Sequence, residues 1–138
     1  MGETIRLKVV TPSGSRLDEE VASVTARSEV GEFCVLPAHR PILAALRAGR
    51  LLVQDTGGET RAYAIDRGFF EGGPDHVNVI TSDFATMEQL VPDEIEREAT
   101  DLRERLESME EGDPEREGVV LDLEWAGARL DMSKSDQG

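Results

Sequence analysis

From Thr4 to Val10 apolar and charged positions alternate, with Ile5, Leu7 and Val9 on one side and Arg6 and Lys8 on the other. Successive side chains of an extended segment point to opposite faces, so this stretch is a half-buried strand. Thr11-Pro12-Ser13-Gly14 ends it with a turn signal. The same reading predicts strands near 20–28, 32–36, 50–55, 60–66, 68–72 and 76–82, with short pieces at 16–18 and 43–47. Gly49, the hairpin tip around Gly57-Gly58, and Glu71-Gly72-Gly73-Pro74-Asp75 punctuate them. Many short strands with no helical period between them indicate an antiparallel sandwich or a flattened barrel.

At residue 92 the period changes. Asp93 and Glu96 have the spacing of a helix cap and its third residue, with Pro92 just outside, and Ile95, Ala99, Leu102, Leu106 and Met109 then form a helical stripe. Gly112 is a stop signal, and Asp113-Pro114 starts a second helix with Asp113 as cap. Along it Val119, Leu123, Ala126 and Leu130 make one stripe, and Leu121, Trp125, Ala128 and Met132 a second beside it. Two helices joined by so short a turn run antiparallel with their stripes together. The tail Ser133–Gly138 reads as frayed. The chain therefore divides into an α+β pair of units: residues 1–88, a β body, and residues 89–138, a helical hairpin.

Charge supports that division. Residues 1–92 carry 13 acidic and 9 basic residues, net −4, while residues 93–138 carry 16 and 6, net −10. A chain with a formal charge of −14 is a poor ligand for nucleic acid, where cationic side chains must displace the counterions of the phosphates. Adhesion to an anionic membrane is disfavoured for the same reason. No apolar run is long enough to span a bilayer, and the first ten residues lack a signal-peptide layout, so the expected setting is soluble and cytosolic. The single Cys34 excludes an internal disulfide, and its apolar neighbours predict a buried, inert thiol.

Catalytic constellations do not assemble. His39, His76 and Cys34 match no zinc spacing, although a metal site of His39, His76 and Glu32 in a small metal-dependent enzyme is a reading to test. Gly14 lacks the Gly-Lys-Ser/Thr ending of a phosphate loop, and no nucleophile elbow is present. The most constrained segment is Pro37-Ala38-His39-Arg40-Pro41. Its two prolines fix their own φ and bias the residues before them toward extended geometry, so it is built to hold a shape. Such a chain works by contact.

The order Glu32, an apolar strand, Leu36-Pro37, His39, Pro41, then Ile42 to Gly49, resembles the epsilon subunit of bacterial F-type ATP synthases, called delta in mitochondria. Residues 7–14 at the start, Gly68-Phe69, and residues 77–81 extend the resemblance over most of 4–85. It implies a flattened antiparallel β-sandwich of about ten strands followed by a two-helix antiparallel hairpin, in keeping with the periods above. It also implies a non-catalytic rotor part with no cofactor, coupling the gamma shaft subunit to the polar loops of the membrane c-ring. Contact with the membrane is then made through that ring alone, peripherally, on the cytoplasmic face of the bacterial inner membrane. By position Glu32 and His39 match residues that face ring and shaft in the family, and the 37–41 loop, with Pro37 and Pro41, is expected to present them. Arg40 is added because its guanidinium fork can pair with a partner carboxylate. The alternative function is a free-standing interaction module whose acidic hairpin binds a basic partner.

Several residues depart from the family pattern. Cys34 and Ala38 stand where glycine is frequent, Ala48 where proline often precedes Gly49, and Arg67 replaces the first of a common glycine pair. Some relatives bind ATP at the start of the first helix through an arginine whose place Glu96 takes here, so ATP binding does not carry over. In many relatives the hairpin also reaches the alpha/beta catalytic head through basic side chains. This hairpin is acidic, which predicts weak inhibition or apolar contacts.

Overall fold

A computed structural model describes residues 3–135. Its β body is organised by one long strand. β1 (Ile5–Thr11) runs into β2 (Gly14–Ser28), which pairs with β1 along its first half, from Thr11 opposite Gly14 to Ile5 opposite Val21. The second half of β2 leaves β1 and pairs on one side with β3 (Gly31–Val35) and on the other with β5 (Gly49–Asp55). A register irregularity between Val21 and Ser23 marks the crossing from one layer to the other. Beyond β1, the first layer continues through β8 (His76–Thr81), β7 (Gly68–Gly72) and β4 (Ile42–Leu46); beyond β5, the second continues through β6 (Thr60–Ile65) and β9 (Phe84–Thr86). β1 and β8 pair in parallel, and the other paired strands are antiparallel.

The alternating residues behave as the period requires. Ile5, Leu7 and Val9 of β1 meet Val77 and Val79 of β8, Phe70 of β7, and Leu51 and Val53 of β5 in one core between the layers. Phe70 is fully buried and takes the edge of Phe33 at 4.8 Å between ring centroids. Two strand readings change. The pieces expected at 16–18 and 20–28 are one strand of 15 residues, because the bend is absorbed by a bulge rather than a turn. β9 escapes a periodic reading because three residues carry no alternation.

Cys34 is exposed, contrary to the expected burial. Phe33 and Val35 pack toward the core, so the residue between them must face outward, whatever the apolarity of its neighbours.

After a 3₁₀ turn (Met87–Gln89) come α1 (Pro92–Glu107) and α2 (Arg116–Ser135). The first cap differs from the expected one: Val91 is the N-cap and Pro92 the first helical residue, where its missing N–H and fixed φ suit the first turn. Asp113 instead caps a short turn, accepting the Glu115 N–H at 2.9 Å, and α2 begins at Arg116. Gly112 adopts φ +89° in the connection. The predicted frayed tail is helical through Ser135, and its remainder, 136–138, lies outside the described residues.

The hairpin lies on the outer face of β5, β6 and β9. Small side chains there, Ala48, Ala62, Ala64 and Ala85, let the helices approach closely, and Ile95, Ala99, Trp125, Ala126 and Leu130 fill the second core between them. Polar contacts rim this interface. The Trp125 indole N–H donates to Asp83 at 3.3 Å, Arg47 pairs with Glu124, and Arg67 reaches Asp122 at 3.3 Å while also binding Asp66. Burial pushes the Asp66 carboxyl above its ordinary range despite the adjacent Arg67.

Candidate functional site

A backbone hydrogen bond ties the proline-braced loop to the body. The Ala38 N–H donates to the Pro74 carbonyl at 2.7 Å, tying the loop to the β7–β8 turn. His39 turns its Nδ1 onto the Arg40 carbonyl, so its ring closes the loop on itself. Leu36, Arg40 and Pro41 are exposed, Pro37 and His39 half-buried. Ala38 adopts φ +67°, which is left-handed backbone that costs an L-residue about 1 kcal/mol or more. That is the physical reason a glycine suits this position. Ala38→Gly is therefore expected to raise stability by about 0.5 kcal/mol, strain relief outweighing the added freedom of the unfolded chain, as urea unfolding will show.

Glu32 does not join the loop. It stands on β3 opposite Arg27 of β2, and the strand carries the chain roughly 15 Å, at ~3.3 Å per residue, before Pro37 is reached. Both its oxygens accept from Arg50, at 2.6 and 3.0 Å. That bidentate hydrogen bond holds the Glu32 carboxyl below its usual range. Glu32 and Arg50 thus form a neutralised pair, beside a tight turn whose Val30 is 99% exposed. Arg40 has no carboxylate partner among the described residues.

Of the proposed metal ligands, His76 lies between Glu71 and Asp75, and His39 bonds its own backbone neighbour. Among the described residues no group of three or more His, Cys, Asp or Glu side chains is arranged to hold a metal ion.

A second surface has no counterpart in the candidate list. On the outer face of the first layer Val10 of β1 stands beside Ile80 of β8, Ile80 beside Phe69 of β7, and Phe69 beside Ala45 of β4. Val10, Phe69 and Ile80 are 41%, 59% and 59% exposed, and Leu43, one step along β4, is 76% exposed. Val10, Ile80, Phe69 and Ala45 form an apolar row on the face opposite the hairpin, and Leu43 stands next to it, beside Glu71 of β7. A contiguous row of this kind marks an interaction surface. Its signal in the sequence was three apolar doublets, Val9-Val10, Phe69-Phe70 and Val79-Ile80: in an alternating strand one member of each must face out.

Residues 4–87 match the family described as ATP synthase, Delta/Epsilon chain, beta-sandwich domain. The ATP synthase epsilon chain of Bacillus subtilis is 32% identical over 106 residues, covering 77% of this chain and 80% of that protein. That of Desulfatibacillum aliphaticivorans is 37% identical over 110 residues, covering 80% and 78%. Among solved structures, a chain of the Euglena gracilis mitochondrial ATP synthase (OSCP/F1/c-ring, rotational state 1) superposes with a TM-score of 0.80 at 23% identity, over 100% of this chain and 84% of that one. The long bridging strand, the two-layer body and the helical hairpin are thus the fold of a known family, and by its match over more than half its length this chain belongs to the ATP synthase delta/epsilon chain family.

Proposed function

We propose that the chain is a non-catalytic rotor subunit of an F-type ATP synthase, seated on the shaft subunit gamma and coupling it to the c-ring. The observation that carries this reading is the exposed apolar row Val10, Ile80 and Phe69, with Leu43 next to it, on the outer face of the sheet in a chain of this family. That face suits the shaft, since a protein partner covers apolar surface that water does not. The Glu32–Arg50 pair and the exposed Val30 turn suit a polar loop of the ring, and Pro37, His39, Arg40 and Pro41 border the shaft contact from the β7–β8 end. The association we propose is peripheral, through the c-ring, on the cytoplasmic face; no described helix is long and apolar enough to cross a membrane.

Residues 1–88 are in this reading the docking body and 89–138 a separate acidic arm. The apolar stripes of the two helices pack mainly on each other, and α2 carries the contact with β5 and β6 of the sandwich. Part of the arm's net charge is answered by the β body, through Arg47 on Glu124 and Arg67 on Asp122, which weakens the case for an arm built to capture a basic partner. The test is to mix the purified chain with purified gamma. A stable 1:1 complex is expected on size-exclusion chromatography with light scattering, and two separate species would reject the rotor reading.

A further inference from the structure

On the outer face of the first layer the apolar row gives way to a polar one. One step from Ile80 and Phe69 stand Asn78 and Glu71, and one step further His76. The His76 ring is lodged against Gly73, where a Cβ would stand 2.6 Å from its Cε1, so the glycine makes the seat. Its Nε2 faces Glu71 at 2.7 Å and its Nδ1 faces Asp75 at 3.1 Å. Glu71 also accepts from Asn78 at 3.0 Å. A neutral imidazole carries one N–H, and its other nitrogen presents a lone pair; two carboxylates on two nitrogens suit the imidazolium, which donates from both.

The remaining charged neighbours are accounted for. Across the register from His76 stands Arg6 of β1, which is bound to Asp18 at 2.8 Å and lies 3.9 Å from Glu20, both on β2. Lys8 stands beside Asn78. The hydrogen bonds that His76 donates to Asp75 and then Glu71 hold its pKa above its ordinary value of 6.5.

We propose that His76, with Glu71 and Asp75, makes the docking of this sheet face to the shaft subunit pH-dependent, tight when the ring is protonated and weaker when it is neutral. The inference rests on the rotor reading above. Covering the face removes water from Glu71, and a carboxylate loses least when a cation stays bound to it. Docking therefore favours the protonated ring and takes up a proton when it begins from the neutral one. The sign follows from the higher pKa expected in the docked chain: the contribution is complete below the free chain's pKa and is lost as pH rises through that of the docked one.

The test measures Kd for the chain and purified gamma by isothermal titration calorimetry from pH 6 to 9, beside His76→Gln, with the His76 Cε1–H resonance followed by NMR in the free and bound chain. Kd for the wild type is expected to rise about three- to tenfold more than for His76→Gln across that range, the span given by a pKa rise on docking of roughly half to one unit. The NMR titration is expected to show that rise. Parallel profiles for the two proteins, or an unshifted His76 titration on docking, would overturn this inference and leave the rotor reading standing. No complex at any pH would overturn both.

Discussion

Gly68→Ala is expected to destabilise the protein by about 3 kcal/mol, at the upper end of what overpacking costs. Gly68 opens β7 opposite Thr81 of β8. A Cβ built there would stand 1.9 Å from the Ile80 carbonyl oxygen and 2.8 Å from the Thr81 Cα. Both are backbone atoms of a paired strand, so no rotamer change relieves the clash, and β8 must move away from β7. That movement disturbs the Phe69–Ile80 pairing on the outer face and the fully buried Phe70 on the inner one. The gain from restricting the unfolded chain, about 0.4–1 kcal/mol, is too small to offset it.

Gly72→Ala separates this cause from a general cost of losing a strand glycine. There the nearest atoms are side-chain carbons, Ile42 Cγ2 at 3.1 Å and Phe70 Cε1 at 3.3 Å, which can yield by a few tenths of an ångström. Its expected cost is about 1 kcal/mol. Urea unfolding of the three proteins decides the matter: a Gly68→Ala midpoint no lower than that of Gly72→Ala removes the backbone clash as the reason for the glycine.

The same strands show what the sequence makes legible. Alternation at Ile5, Leu7 and Val9 is a local consequence of extended backbone, so the core face could be read without knowing what covered it. The helical stripe of Ile95, Ala99 and Leu102 is local in the same sense, and it packs as its period requires. Less legible was whatever depended on pairing across the chain. That residues 16–18 and 20–28 are one strand follows from β1 and β5 meeting opposite ends of it, partners many residues away. Cys34 misled because its apolar neighbours hid its parity.

The candidate contact residues divide along the same line. The stiffness of the 37–41 loop was visible in Pro37 and Pro41, since proline restricts its own backbone wherever it stands. Glu32 is joined to the loop by the family resemblance, whereas β3 separates the two and Arg50, 18 residues on, is what binds it. The apolar row was missed for a related reason. Each doublet looked like a slightly richer core strand, and only the registers Val10–Ile80 and Phe69–Ile80 align their outward members into one surface.

Removing that surface is the change with the largest expected effect on assembly. Phe69→Thr with Ile80→Thr is expected to weaken binding to gamma about 100-fold or more, close to 3 kcal/mol, from the apolar area that the two side chains lose to an interface. Threonine is β-branched and suits a pleated sheet, and both side chains already face water, so the fold is expected to lose little. A Pro37→Ala, Pro41→Ala chain makes the informative contrast. It adds loop freedom worth about 0.4–1 kcal/mol per proline, which the Ala38–Pro74 hydrogen bond partly restrains. Binding should then fall by roughly tenfold or less. Isothermal titration calorimetry on circular-dichroism-matched samples orders the two variants. A double threonine chain that binds gamma as tightly as the wild type, with the proline variant crippled, would move the docking surface from the sheet face to the loop, because burial of an exposed row must appear in affinity wherever a partner covers it.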